Sequence, residues 1–131
     1  MNTVQRNTVQ RQIITNVLQR LKHPTVLEVN DEVQKDHPTI SKTTIYRNLR
    51  QMDQEGIIWQ IWIQGDAERY DTNPTPHYHF KCKGCGNIYD MDMDYLYELN
   101  QALQNSNLHA IERHDIIFTG TCQSCIYAGT I

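Results

Sequence analysis

Four cysteines constrain this chain more than any other feature of it. They fall as Cys82-x-x-Cys85 and Cys122-x-x-Cys125, with 36 residues between the pairs. Two such knuckles bring four thiolates to the corners of a tetrahedron, the geometry Zn2+ takes at Zn–S distances of about 2.3 Å. A closed four-sulfur site leaves no open position for a substrate, so such a zinc is structural. The alternative is two disulfides or a redox pair, which belong to oxidising compartments. The amino end, Met1-Asn2-Thr3-Val4-Gln5-Arg6, has no apolar stretch of the kind a secretion signal needs. No apolar run approaches the roughly 18–20 residues of a membrane span. The expectation is therefore a cytoplasmic protein with no membrane partner, reduced thiols and a four-cysteine zinc site.

The zinc domain is only part of the chain. At Asp71-Thr72-Asn73-Pro74-Thr75-Pro76 two prolines remove backbone donors and fix φ, the mark of a linker. The expected organisation is an N-terminal domain over residues 1–71, a hinge over 72–76, and a C-terminal, metal-binding domain over 77–131. The net charge of −3 argues against nucleic acid, yet it is unevenly spread. Residues 1–70 carry nine Lys/Arg against eight Asp/Glu, and residues 71–131 carry three against seven. The basic groups belong to the first half.

In that half, Val9, Ile13, Ile14, Val17, Leu18 and Leu21 recur at helical spacing and predict a helix over residues 8–21, stopped by His23-Pro24. Thr25-x-x-Glu28 is a capping-box pattern that starts a second helix through residue 35, with Val29 and Val33 facing inward. Ser41 caps a third, with Ile40 and Ile45 placed as a hydrophobic staple and Gly56 as its stop. A β-rich run over residues 57–63, a Gly65-Asp66 turn and a return over 67–71 then form a hairpin. Three helices and a hairpin make a winged helix-turn-helix. The fold class is α+β. The second half reads as strands over residues 77–82 and 87–90 around the first cysteine knuckle, a helix over 94–105 marked by Leu96, Leu99 and Leu103, and two more strands over 108–114 and 115–121. About 55 residues is small for a stable domain without a metal or a partner chain.

A second cluster has different chemistry. In His77-Tyr78-His79 the two imidazoles, two residues apart on a strand, point to one face, while Tyr78 packs on the other. Cys82 has the opposite parity, so the two metals need not compete. Carboxylates lie close by at Asp71, ending the wing, and Asp90, ending the next strand. Imidazole plus carboxylate without sulfur suits Mn2+, Fe2+, Ni2+ or Zn2+ in a site that is more than structural.

These motifs together resemble the Fur family of dimeric bacterial metalloregulators. The resemblance is carried in order by Thr8-Val9-Gln10-Arg11, His23-Pro24-Thr25, Thr44-Ile45-Tyr46-Arg47-Asn48-Leu49, Arg69-Tyr70-Asp71, His77-x-His79-x-x-Cys82-x-x-Cys85-Gly86 and Cys122-x-x-Cys125. It covers nearly the whole chain. It implies a homodimeric repressor of transcription, with double-stranded, palindromic operator DNA as partner, and a regulatory Fe2+ or Mn2+ site at His23, Asp71, His77, His79 and Asp90. Aspartate at both carboxylate positions resembles the peroxide-sensing (PerR) branch more than the iron-responsive one, where glutamate is usual. That branch implies oxidation of a ligand histidine, His23 or His77, in the presence of iron. A second histidine- and carboxylate-rich site of the family is not matched, because Pro76, Tyr78 and Tyr97 fill its ligand positions; His114 alone remains, and reads as an ordinary strand residue. Arg47 stands where peroxide-sensing members usually carry asparagine and iron-responsive members arginine. An N-terminal helix found in many members is expected to be missing.

On the third helix, Lys42, Thr43, Tyr46, Arg47 and Arg50 are the polar residues left once core positions are assigned. Arg47 is suited to a guanine edge, and Lys42 and Arg50 to phosphates. Three alternatives stand beside the peroxide-sensing repressor. One is a repressor that senses iron or manganese reversibly. Another is a zinc-stabilised dimerisation module without DNA binding. The last is a non-heme iron enzyme, since two histidines and a carboxylate also form the facial triad of oxygenases. Ligands spread over both domains and a short chain without a traceable substrate pocket weigh against an enzyme or a small organic substrate.

Overall fold

The structure, a computed structural model, describes residues 3–106 and 109–129. The chain divides into two compact units, Met1–Pro74 and Thr75–Ile131.

The first unit is a winged helix: α1 (Thr3–Arg20), α2 (Val26–Asp36), α3 (Lys42–Gln54), β1 (Trp59–Ile61) and β2 (Arg69–Asp71). Local chemistry sets each boundary. Thr25 caps α2 with a complete capping box: its hydroxyl accepts from the Glu28 amide at 3.1 Å, and the Glu28 carboxylate accepts from the Thr25 amide. Such a cap stabilises by about 1 kcal/mol. Ser41 does the same for α3, accepting from the Thr44 amide at 3.1 Å. The staple partners Ile40 and Ile45 both sink into a core built from Ile14, Leu18, Val29, Val33, Leu49, Met52 and Tyr70. Gly56, at φ 74°, takes the left-handed turn that ends the third helix.

Three expectations need correcting here. Helix α1 begins at Thr3 rather than residue 8, and Val9 is exposed, not buried. The run over residues 57–63 is only partly strand, because the Ile57 and Ile58 amides turn back to the Met52 carbonyl and cap α3. The return over 67–71 pairs only from Arg69, because the Ala67 amide goes to the Asp66 side chain instead of a ladder. What remains is a three-residue antiparallel pair, Trp59 to Asp71 and Ile61 to Arg69.

The second unit holds β3 (His79–Cys82), β4 (Ile88–Asp90), α4 (Tyr97–Ser106), β5 (Ile117–Gly120) and α5 (Gln123–Ala128). Its sheet runs β4-β3-β5, antiparallel on one side of β3 and parallel on the other. Pairing starts at His79, so His77 precedes the strand rather than lying in it. Helix α4 starts three residues later than residue 94, after the Leu96 amide is taken by the Tyr78 hydroxyl. The strand expected over 108–114 is absent among the described residues (Leu108 lies outside them). The amide and carbonyl of His114 go to the Tyr95 hydroxyl, each at 2.8 Å, and the Ile111 carbonyl goes to Gln104. Helix α5 was not expected; it is one short turn beginning behind Cys122 and ended by Gly129 at φ 71°.

Candidate metal centres and recognition surface

The four cysteine sulfurs converge within the second unit. Cys82 Sγ lies 3.7 Å from Cys125 Sγ, and Cys85 Sγ lies 3.8 Å from Cys122 Sγ. A disulfide needs about 2.05 Å. A tetrahedron of sulfurs around zinc has edges of about 3.8 Å, given Zn–S bonds of about 2.3 Å. The cluster therefore fits zinc, and the disulfide reading does not fit these distances.

The backbone prepares the site for thiolates. Amides of Gly84, Cys85 and Cys122 all donate to Cys82 Sγ, at 3.3, 3.4 and 3.3 Å. These bonds, led by the Cys122 amide, pull the Cys82 thiol down to about 6. The knuckle favours glycine at position 84, where a Cβ would stand 3.0 Å from Cys125 Sγ, tighter than ordinary contact. Tyr89, on β4, places its hydroxyl 4.0 Å from Cys85 Sγ and hydrogen-bonds Cys122, which lowers the Cys122 thiol and holds the Tyr89 phenol up at about 12. Sequence reasoning did not single out Tyr89; only the β3–β4 pairing brings it to the cysteines.

The imidazole and carboxylate donors are carried by both units, and each unit assembles its own group. In the first, His23 Nε2 lies 3.4 Å from Asp71 Oδ2. His23 sits directly after α1 with φ 47°, a left-handed conformation uncommon for a residue with a side chain. Neighbours hold it there: its carbonyl accepts from the Arg69 guanidinium at 3.0 Å, and the Pro24 carbonyl accepts from the Tyr70 amide at 2.9 Å. Asp71, buried at the end of β2, also accepts from the Asn73 amide at 2.9 Å.

In the second unit, two imidazoles converge on one carboxylate oxygen. Asp90 Oδ1 lies 3.1 Å from His77 Nε2 and 3.4 Å from His79 Nε2. His79 and Asp90 face each other across the β3–β4 register. The His77 Nδ1 lies 2.6 Å from the Thr75 carbonyl. A carbonyl can only accept, so Nδ1 carries the proton, and the lone pair of a neutral His77 is left on Nε2. Lone pairs aimed at a carboxylate repel unless a proton or a metal cation lies among them. A backbone carbonyl at Nδ1 in this way would leave Nε2 placed to ligate a metal.

His114, expected on a strand, lies outside any. Its Nε2 is 2.7 Å from the Tyr78 hydroxyl, and its Nδ1 bonds Asn100 Oδ1. Tyr78 is fully buried.

On α3, Ile45, Asn48, Leu49 and Met52 face the core, whereas Lys42, Thr43, Tyr46, Arg47 and Arg50 line one open groove on the opposite face. The Arg50 guanidinium stands over the Tyr46 ring at 5.9 Å. A second groove runs from Tyr46 and Arg50 to Gln60 and Trp62 of the hairpin. Trp62 is 67% exposed. The alternation of buried Ile61 and Ile63 around it was the available signal for that outward position. Among the described residues no helix is long and apolar enough to cross a membrane.

Comparison with known proteins agrees with this picture. The family model of the ferric uptake regulators matches residues 2–119. The peroxide-responsive repressor PerR of Staphylococcus aureus is 33% identical over 121 residues, spanning 92% of this chain and 82% of that protein. The crystal structure of the Campylobacter jejuni peroxide stress regulator superposes with a TM-score of 0.75 at 26% identity, over 95% of this chain and 100% of that one. The Helicobacter pylori ferric uptake regulator shares the fold, with a TM-score of 0.71 at 21% identity, over 91% of this chain and 83% of that one. A winged helix followed by a four-cysteine α/β unit, matched by the family model over most of its length, makes this chain a member of the ferric uptake regulator family.

Proposed function

We propose that the chain is a cytoplasmic, homodimeric, metal-dependent repressor of transcription that senses peroxide. The observation that carries this reading is the pair of donor groups, His23 with Asp71 in one unit and His77 and His79 with Asp90 in the other. Imidazole nitrogen and carboxylate oxygen without sulfur suit Fe2+ or Mn2+. One ion held by all five residues ties the two units together across residues 72–76. Metal then favours the interdomain angle at which the five donors meet, because a ligand shifts an equilibrium by its differential affinity for the two states.

In that state the two α3 helices of a dimer enter successive major grooves of a palindromic operator, about 34 Å apart. Arg47 pairs with a guanine edge, Lys42 and Arg50 hold phosphates, and Thr43 and Tyr46 complete the contact. The apolar surface left on the second unit, with Tyr97, Leu99, Leu103 and Phe118 exposed, supports burial against a second copy.

Fe2+ held by these residues would activate H2O2, which is the two-electron oxidant of the net change. His23 or His77 would gain one peroxide oxygen at a ring carbon, its C–H hydrogen passing to nitrogen, the other oxygen would leave as water, and the altered imidazole would ligate poorly. The five-residue site loosens and the operator is released. Similarity to the Staphylococcus aureus peroxide-responsive repressor supports peroxide as the signal. The chain's residues bind and switch rather than turn over a substrate.

The test is peptide mass spectrometry of Fe2+-loaded protein after a brief low dose of H2O2, with Mn2+-loaded protein as control. One added oxygen on the His23 or His77 peptide, only with iron, is the expected result. Unmodified histidines alongside metal-reversible DNA binding would replace this reading with a reversible sensor of iron or manganese.

A further inference from the structure

Tyr78 lies between the two histidines that converge on Asp90, and its hydroxyl is held by two partners. Its hydroxyl accepts from the Leu96 amide at 3.0 Å and lies 2.7 Å from His114 Nε2. His114 Nδ1 faces Asn100 Oδ1, which can only accept, so the hydrogen on that ring is at Nδ1. Nε2 is therefore the acceptor, and the Tyr78 hydroxyl donates to it. His114 is held in turn by Tyr95, whose ring stacks on it at 4.2 Å and 15° and whose hydroxyl bonds both its amide and its carbonyl. One phenol thus joins the approach to β3, the start of α4 and the segment before β5.

We propose that Tyr78 and His114 are a positioning pair for the regulatory ion: the half-buried Tyr78–His114 hydrogen bond fixes the rotation of residues 77–79 so that both His77 and His79 face Asp90. The proposal rests on the reading that these three residues hold that ion. In an extended chain neighbouring side chains point to opposite sides, so locking residue 78 sets the direction of 77 and 79. The β3 ladder starts at His79, and the backbone bonds beside these residues include Met91 amide to Tyr78 carbonyl at 2.9 Å and His79 amide to Ile116 carbonyl at 3.3 Å. The Tyr78 phenol adds a side-chain constraint to these and to the Thr75 carbonyl at His77 Nδ1. Partners that orient ligands from outside the coordination sphere commonly change metal affinity by about 10–100-fold.

The test measures Mn2+ affinity of the full-length, zinc-loaded protein by competition with a fluorescent chelator. Zinc content is followed in parallel as a check on the second unit. Y78F keeps the ring and removes only the hydroxyl; it is expected to weaken Mn2+ binding about tenfold with zinc retained. H114L is expected to do the same. H114Q, whose amide can accept from Tyr78 and donate to Asn100, is expected to restore most of the affinity. Y78F and H114L binding Mn2+ within about twofold of the parent, while D90A loses it, would overturn the proposal. H114Q as weak as H114L would also overturn it, because packing rather than the hydrogen bond would then be responsible. Unchanged binding in D90A would sink the reading of the site itself, and the positioning pair with it. Should H114L lose zinc, Y78F decides alone.

Discussion

The two kinds of metal donor in this chain are built in opposite ways. All four cysteines belong to one unit, their sulfurs already lie at the spacing of a zinc tetrahedron, and three backbone amides stabilise one of them as a thiolate. The imidazole and carboxylate donors come in two groups, one per unit. A site complete within one unit can only stabilise that unit. A donor set divided between units can report on their relation, because filling it depends on where each unit stands. On the proposed function, the softer ligands would take the architectural task and the harder ones the regulatory task, as the chemistry of each metal favours.

That contrast can be broken or sharpened by substitution. The largest effect is expected from C82S, which removes the thiolate that holds three amide donors. Structural zinc contributes on the order of 10 kcal/mol to small domains, so the variant should lose zinc by elemental analysis and the second unit its cooperative melting. Retention of a full zinc complement would break the contrast at its strong end. D90A, next in size, removes the oxygen shared by His77 and His79. It should weaken Mn2+ binding roughly 100-fold, by analogy with loss of a well-placed ligand partner, while zinc content stays the same. Loss of zinc along with Mn2+ would mean that the two sites are one structural system.

R47A should lower operator affinity by about 1–3 kcal/mol, or roughly 5–150-fold, if Arg47 reads a guanine edge. Fluorescence anisotropy with metal-loaded protein checks this, and a uniform loss on all duplexes would reassign Arg47 to phosphate. The smallest effect is expected from T25A, which removes the α2 cap for a cost of about 1 kcal/mol. Chemical denaturation should register it in the first unit alone. A change in zinc affinity would show the units to be less independent than their separate cores suggest.

Much of this was legible because it is local. The Thr25-x-x-Glu28 box, the Ser41 cap with its Ile40–Ile45 staple, and the paired cysteines each act over a few residues, so sequence spacing and spatial arrangement coincide. The segment 109–114 was misread for the converse reason. Its residues do not alternate cleanly, and its bonds go to the side chains of Tyr95 and Gln104, from a different part of the chain. Helix α5 escaped notice because six residues carry too little periodicity to register. His23 could be placed only through family resemblance. Its position depends on a left-handed backbone and an Arg69 bond spanning 46 residues, neither of which leaves a pattern in the sequence. The His77 and His79 side chains both approach Asp90, although His77 precedes the strand expected to align the two.

The outward-facing Trp62 gives the molecule a built-in optical label. The chain has two tryptophans, one in each environment: Trp59 is 8% exposed in the hairpin interior, and Trp62 is 67% exposed beside the recognition helix. An indole in water emits to the red of a buried one and is quenched by iodide, so the two populations can be separated in a single emission spectrum. The red component reports from the surface that Arg50 and Tyr46 share. Occupancy of that face can therefore be followed in unmodified protein, with the buried indole as an internal standard.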